Sequence, residues 1–183
     1  MIIMNEKIQH IFIILIILYL KLLYTKEIIV NNNENNFRLN DIINKSQTDN
    51  VLILKFVDNY YDLTSFTSFD FKITVDTNIF FIGNKNGTVF DFAGGNVGTI
   101  TFSLTVNRGL NIKFENIIFE NFYGNLETIK GHQIIYVYAA VYNFYFTFNN
   151  CIFRNNNNRL VHFLLESPVT NINNQVLFNN CGF

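Results

Sequence analysis

The aspartates are the side chains of this sequence whose chemistry comes closest to that of an active site. General acid–base catalysis needs two carboxyl groups within reach of the same bond. Five aspartates lie in predicted turns of the N-terminal half: Asp58, Asp62, Asp70, Asp76 and Asp91. Asp70 and Asp76 are the nearest pair, yet no two of the five repeat at a spacing that would place both carboxylates over one substrate. We therefore predict solvated turn residues and no catalytic site.

The histidines and cysteines do not predict a metal site. The histidines are His10, His132 and His162, and without carboxylate help they cannot hold a metal ion. The sequence has no Cys-x-x-Cys pair, no Gly-rich phosphate loop and no nucleophile elbow. We predict no bound metal and no cofactor.

The cationic side chains are few and scattered. Charged residues make up 15% of the chain and the net charge is −1, without the clustered Lys and Arg of a nucleic-acid surface. Arg154 and Arg159 flank the run from Asn155 to Asn158 and could contact an anionic sugar, although a solvated loop is the plainer interpretation. We expect no nucleic-acid partner.

Most of the remaining pattern comes from a repeated phrase, which residues 144–153 show most clearly. The phrase recurs at residues 110–119 and 176–183, so its phenylalanines lie 34 residues apart (114 to 148) and then 30 apart (148 to 178). Repetition at this period is typical of solenoid proteins. Four sets of residues fall together in the three copies: Phe114, Phe148 and Phe178; Asn116, Asn150 and Asn180; Ile117, Cys151 and Cys181; Phe119, Phe153 and Phe183.

Each copy predicts one coil of a parallel β-solenoid. Leu110, Ile112 and Phe114 alternate with polar residues, which is the period of a strand with one buried face. Stacked coils would place equivalent residues about 4.8 Å apart, giving ladders of Phe, of Asn and of small apolar side chains. Asn suits the corner between the two strands of a coil, because it tolerates left-handed backbone and its amide can hydrogen-bond to the equivalent amides of the coils above and below. An antiparallel sandwich of similar strands is the alternative.

Equivalent cysteines on neighbouring coils leave two possibilities open. Cys151 and Cys181 would have their backbones within disulfide range, but stacking in register on parallel strands does not give the usual disulfide geometry. We favour two buried, stacked, reduced thiols over a bridge.

The first 25 residues predict a signal peptide or a signal anchor. Lys7 precedes the apolar run from Ile11 to Leu20, and Lys21 follows it, as in a secretory signal. No small-residue cleavage site is evident, so a membrane anchor over residues 8–24 is the alternative. Secretion would make Asn44 and Asn86 candidate N-glycosylation sites, in Asn44-Lys45-Ser46 and Asn86-Gly87-Thr88.

The rest of the chain, 183 residues in all, is long enough for one domain. Residues 26–36 are predicted to be an Asn-rich linker and residues 37–50 an N-terminal cap, with an amphipathic helix over residues 37–45. The cap would cover the open end of the solenoid, which is predicted over residues 51–183. Since the chain stops within a repeat, we expect it to be a fragment, truncated at its C-terminal end.

Five segments share a further pattern: Val51-Leu52-Ile53-Leu54, Tyr60-Tyr61, residues 78–84, residues 87–91 and residues 110–119. Together they resemble the opening of a right-handed parallel β-helix of the pectate-lyase-like class, the pectin lyase fold. The resemblance covers about residues 37–183 and implies an all-β, single-stranded solenoid. Members that cleave polyuronides carry clustered Asp residues beside an Arg or a Gly-His-Gly segment; this sequence departs from that pattern, because Gly131-His132 lacks the second Gly.

Two functions therefore stay open. We favour a secreted or cell-surface β-helix module with a structural, adhesive or glycan-binding role, whose partner is a carbohydrate or another protein chain. The alternative is a polysaccharide lyase or glycoside hydrolase of the pectate-lyase-like class, or a remnant of one. A membrane is expected as a partner only if the leader is uncleaved.

Overall fold

The computed structural model describes residues 10–12, 24–31, 39–63, 71–95, 99–123, 133–166 and 175–183. Apart from a helical turn at residues 10–12 and one helix, α1 (Leu39–Ser46), these residues form strands and their connections. The strands are β1 (Thr25–Val30), β2 (Val51–Phe56), β3 (Tyr60–Asp62), β4 (Phe71–Thr74), β5 (Asn78–Ile82), β6 (Thr88–Asp91), β7 (Ile100–Leu104), β8 (Leu110–Glu115), β9 (Ile117–Glu120), β10 (Gln133–Ala139), β11 (Phe144–Asn149), β12 (Ile152–Arg154), β13 (Arg159–Leu165) and β14 (Val176–Asn179).

The strands form three parallel sheets, and from β2 onward successive strands of the chain belong to successive sheets. The first sheet has the order β1-β2-β5-β8-β11-β14, the second β3-β6-β9-β12, and the third β4-β7-β10-β13. Every strand pairing among the described residues is parallel. The chain therefore winds through about four turns of a right-handed parallel β-solenoid, which confirms the predicted fold class.

Phenylalanine rings occupy the same inward position of the first sheet in successive coils. Phe114 is fully buried, and its ring stacks on Phe81 at 4.6 Å between centroids and on Phe148 at 5.4 Å. The ladder continues to Phe178, 4.6 Å from Phe148. In the preceding coil the equivalent position is Leu54, and the Phe56 ring two residues later stacks on Phe81 at 6.2 Å. A second ladder in the second sheet stacks Phe119 on Phe153 at 4.9 Å and Phe153 on Phe183 at 5.5 Å. The ladders extend further toward the N-terminus than the three repeated phrases indicate.

A single asparagine turns each of three coils from the first sheet into the second. Asn116, Asn150 and Asn180 have φ angles of 57°, 52° and 51°, in the left-handed region that Asn tolerates better than most residues. The Asn150 amide nitrogen donates to Asn116 Oδ1 at 3.3 Å, and the Asn180 amide nitrogen donates to Asn150 Oδ1 at 2.8 Å. The side chains thus join neighbouring coils at the corner, beside backbone hydrogen bonds such as that from the Asn150 amide to the Asn179 carbonyl at 2.9 Å.

The position after the corner asparagine is apolar and points inward. Ile117 and Cys151 are fully buried, and Cys181 is partly exposed. Both cysteines are free thiols, and Cys151 Sγ lies 3.5 Å from the carbonyl oxygen of Asn149. Burial raises the pKa of the Cys151 thiol to about 12, so the thiol is protonated at neutral pH.

The N-terminal region differs from the sequence prediction. Residues 26–30, predicted as linker, belong to β1, which pairs in register with β2 from Thr25↔Val51 to Val30↔Phe56. The Tyr61 hydroxyl donates to the Val30 carbonyl at 2.6 Å and Val30 is buried, so this strand is an integral layer of the solenoid. The linker prediction rests on the Asn-rich run that follows β1, which hides the apolar residues Ile28, Ile29 and Val30 in the composition of the segment.

The short helix α1 lies against the first strand of the third sheet. Leu39 and Ile43 are buried, while Asn44 and Gln47 donate to the carbonyl oxygens of Lys72, at 3.0 Å, and Thr74, at 2.6 Å. The predicted helix began at Phe37, which lies outside the described residues, as does most of the predicted leader (residues 1–9 and 13–23). No helix within the described ranges is long and apolar enough to cross a membrane.

Replacing Phe114 by Ala should lower the free energy of unfolding by about 3–5 kcal/mol, because it empties a fully buried site between two stacked rings. Urea unfolding followed by circular dichroism measures the change. Phe178→Ala is the matched control, since Phe178 is 39% exposed. Phe178→Ala should lower the free energy of unfolding by clearly less than Phe114→Ala does. Equal decreases in the two variants would contradict a core built around the ladder.

The corner of the coil makes a separate prediction about Asn150. Asn150→Ala should cost about 1–3 kcal/mol, because alanine pays for left-handed backbone and also loses the amide ladder. Asn150→Gly should cost about 1 kcal/mol, because glycine adopts that backbone freely and loses only hydrogen bonds. Thermal or urea unfolding of both variants ranks them, and a glycine variant as unstable as the alanine variant would argue against backbone strain.

Candidate functional site

The outer side of the second sheet carries a row of charged side chains, here called the acidic row: Asp62, Asp91, Glu120 and Arg154. The strand register aligns Asp62 with Asp91, Asp91 with Glu120, and Glu120 with Arg154. The prediction that no two of the aspartates stack is therefore wrong for Asp62 and Asp91. Both residues end strands, β3 and β6, whereas the sequence placed them in turns. Parallel pairing of these strands brings their carboxylates onto neighbouring coils.

Asp91 is the most enclosed member of the acidic row, with 9% of its surface exposed. Its Oδ2 accepts a hydrogen bond from the Tyr60 hydroxyl at 2.7 Å. Its Oδ1 accepts from Asn121 Nδ2 at 2.8 Å and from the Ala93 amide at 2.7 Å. Both carboxylate oxygens are thus held by donors from three coils.

The same contacts determine how Asp91 and Tyr60 titrate. Desolvation raises the pKa of the Asp91 carboxyl, but the hydrogen bonds from Tyr60, Asn121 and Ala93 outweigh it, so that pKa lies below its ordinary value. The hydrogen bond to Asp91, with burial and the nearby carboxylates, raises the pKa of Tyr60 to about 12. Asp91 is therefore ionised and Tyr60 protonated at neutral pH.

The far end of the acidic row is an ion pair. Arg154 Nε lies 2.5 Å from Glu120 Oε2, and the Glu120 side chain is only 13% exposed. A cleaving site needs one carboxyl group that can donate a proton and a second that acts as base or nucleophile. Asp91 is held ionised by its hydrogen bonds, and Glu120 is paired with Arg154. Both carboxylates therefore stabilise the contact between neighbouring coils and are poorly suited to proton transfer.

The outer side of the third sheet has a different character. Tyr136 and Tyr138 alternate on β10 with buried Val137 and Ala139, so both tyrosines face outward and are partly exposed. In register beside Tyr136 lie Thr101 on β7 and His162 on β13; beside Tyr138 lie Ser103 and Leu164. We call these six residues the tyrosine face. It combines aromatic rings with hydrogen-bonding side chains and has no carboxylate of its own.

Two contacts position the aromatic groups of the tyrosine face. The rings of Tyr136 and His162 meet edge to face, with centroids 5.3 Å apart. Tyr138 is hydrogen-bonded to Glu166, just beyond β13, and this bond, with desolvation and the nearby charge, raises the pKa of the Tyr138 hydroxyl. The sequence contains the alternation of Tyr136 and Tyr138, but their lateral neighbours come from other coils and are revealed by the register alone.

A cavity of about 480 Å³ opens at the corner between β12 and β13. It is lined by Arg154, by Asn155, Asn156 and Asn158, by Leu160, and by the rings of Phe153 and Phe183. The amide of Asn156 is already engaged, since its Nδ2 donates to the Phe119 carbonyl at 3.0 Å and its Oδ1 accepts from the Phe122 amide at 2.9 Å. Arg159, predicted beside Arg154, begins β13 and is not among the lining residues.

The other residues considered from sequence do not come together. Asp76 lies exposed after β4, and Asp70 and His132 fall outside the described residues. His10 lies in the helical turn at residues 10–12, while His162 belongs to the tyrosine face. Across the ranges that the structure describes, no group of three or more His, Cys, Asp or Glu side chains could hold a metal ion.

The two candidate glycosylation sites are both exposed but differ in the hydrogen bonds of their side-chain amides. Asn44 lies on α1 and its side-chain amide is engaged on both sides with β4, donating to the Lys72 carbonyl at 3.0 Å and accepting from the Thr74 amide at 3.3 Å. Asn86 is exposed in the turn between β5 and β6. Asn86 is therefore the better-placed acceptor of the two, and its modification stays a prediction.

No protein-family model matches this chain, and no curated protein or solved structure matches it either. The assignment to the pectate-lyase-like class therefore stays a prediction from the sequence.

The network around Asp91 predicts how stability depends on pH. Because the folded pKa of Asp91 is depressed, its stabilisation is complete above the unfolded pKa of about 3.9 and is lost as the pH falls through the folded value. Asp91→Asn should therefore be less stable than the wild type by about 1–3 kcal/mol at pH 7, and the difference should shrink below about pH 4.

Urea unfolding of the two proteins from pH 7 to pH 2 measures this difference. Asp76→Asn is the matched control, because Asp76 is exposed in a turn; its effect should be small at every pH. A deficit of Asp91→Asn that stays constant down to pH 2 would contradict the role given to the ionised carboxylate.

Proposed function

We propose that this protein is a secreted or cell-surface β-helix module that binds glycans without cleaving them. The observation that carries the proposal is the tyrosine face of the third sheet, where tyrosine rings lie among hydroxyl and imidazole side chains. Aromatic rings with polar neighbours suit sugars, which have apolar ring faces and hydroxyl edges. A solenoid supplies an extended and rigid surface for such a ligand.

The acidic row supports binding over cleavage. The strand register places its carboxylates side by side on neighbouring coils, yet Asp91 accepts three hydrogen bonds and Glu120 is paired with Arg154. One observation favours the alternative, a polysaccharide-cleaving enzyme of the pectate-lyase-like class or its remnant: exposed Asp62 lies next to Asp91 in the register. Asp62 would have to supply the chemistry with Asp91 as its partner.

Secretion is part of the proposal and rests on the predicted leader. An anchor formed by residues 8–24 would hold the same module at a membrane surface. Expression of the full chain in a eukaryotic secretory host separates the two, since a cleaved signal releases protein into the medium and an anchor leaves it with the membranes. Protein that stays in the cytosol would overturn both versions.

Glycan binding is tested with the full chain purified from that host. We expect it to bind members of an array of β-glucans, xylans, mannans, chitin and polygalacturonate, and to release no reducing ends or unsaturated products from them. If the wild type releases such products and Asp62→Asn does not, the enzymatic alternative is established. A folded protein that binds none of these polysaccharides would overturn the proposed function.

A further inference from the structure

We propose that the tyrosine face is the glycan-binding site and that its ligand is a neutral glycan, whose sugar rings stack on Tyr136 and Tyr138. This inference rests on the proposed function and specifies its site and its ligand class.

The two rings are spaced along one strand. Tyr136 and Tyr138 are two residues apart on β10, which places their Cα atoms about 6.6 Å apart on the same side of the sheet. Strand β10 is paired on both sides, with β7 and with β13, so its backbone is fixed in the interior of the third sheet. Tyrosine rings held in this way give large contact area at a small cost in conformational entropy.

Hydrogen-bonding groups lie on both sides of this pair. Thr101 and His162 flank Tyr136, and Ser103 lies beside Tyr138 on the β7 side. A glycan chain that follows β10 would place its ring faces on the tyrosines and its hydroxyl groups over the neighbouring strands. The exposed side chain of Leu164 offers a further apolar contact beside Tyr138.

The charges around the site favour a neutral ligand. Lys72 on β4 pairs in register with Thr101, which in turn lies beside Tyr136, and Glu166 is hydrogen-bonded to Tyr138. One positive and one negative group therefore border the tyrosine face. A polyuronide carries a negative charge on every sugar and needs clustered cations. The tyrosine face has no such cluster among its described neighbours, and the acidic row on the second sheet would repel a polyanion.

The outer sides of the other two sheets are less suited to a sugar chain. On the first sheet, Lys113 lies 2.6 Å from Glu115 and 4.9 Å from the centre of the Phe80 ring, so this aromatic ring is covered by a cation. On the second sheet, the exposed Tyr60 has its hydroxyl bonded to Asp91. Tyr145 on β11 is an outward tyrosine of the first sheet that lies beside Asn111, and the other aromatic rings of its strand face inward.

The test compares Tyr136→Ala, Tyr138→Ala and the matched control Tyr145→Ala, each as the full chain with its fold checked by circular dichroism. Isothermal titration calorimetry measures Kd for cellohexaose, xylohexaose, mannohexaose, N-acetylchitohexaose and hexagalacturonate. For the neutral hexasaccharide that the wild type binds best, we expect each of the first two variants to raise Kd at least about tenfold. Tyr145→Ala should change it less than about twofold.

A conservative variant separates the ring from its hydroxyl. Tyr138→Phe keeps the ring and loses the bond to Glu166, so its Kd should stay within about threefold of the wild type if stacking dominates.

Each contrary result overturns a distinct statement. If the wild type binds a neutral hexasaccharide and folded Tyr136→Ala and Tyr138→Ala bind it equally well, the site is wrong and the glycan-binding function stands. If hexagalacturonate binds more tightly than every neutral probe, the ligand class is wrong. If the wild type binds no glycan in either assay, the proposed function fails, and this inference fails with it.

Discussion

Parallel pairing in register between successive coils is the constraint on which the rest of the structure depends. Each coil is bonded to the next through three short strands, so a residue on one coil has a fixed partner one turn later. Phe114 shows the consequence: it stacks on Phe81 and Phe148 in neighbouring coils, and also meets Phe102 and Phe119 from the other two sheets. A shift of register by one residue would turn such rings outward. The interior is therefore the most constrained part of the sequence.

The same constraint explains which parts of the fold were predictable. The copies at residues 110–119, 144–153 and 176–183 have nearly the same length and order, so their alignment predicts the strands, the corner and the stacking of equivalent side chains. Strand β1 was missed because no copy of the phrase includes it and an asparagine run follows it directly. A second corner, with Asn121 and Asn155 at φ angles of 60° and 54°, was also missed. It lies after the aligned phrase, where the connections to the third sheet vary in length.

The outer surface was much less predictable than the interior. Asp62 and Asp91 belong to coils upstream of the clearest repeats, so the alignment could not place them in the same row. The tyrosine face was equally hard to predict from the sequence. Thr101, Tyr136 and His162 come from three coils, and loops of unequal length separate them in the sequence. Outward positions do not repeat in type, because no packing requirement acts on them. Only the strand register reveals which of these residues meet.

The carboxylates of the acidic row show why stacking of like charges needs compensation. Neighbouring coils place such groups about 4.8 Å apart, and unscreened like charges at that distance oppose the stacking of the coils. The structure offsets this repulsion with donors: Tyr60, Asn121 and the Ala93 amide bind Asp91, and Arg154 binds Glu120. These carboxylates are less available to a ligand, because a ligand would have to displace the donors that already bind them. The tyrosine face has no stacked like charges to offset. Its neighbouring coils meet on the outer side through the Tyr136–His162 ring contact and the hydrogen bond between Tyr138 and Glu166, so stability does not require charged groups there.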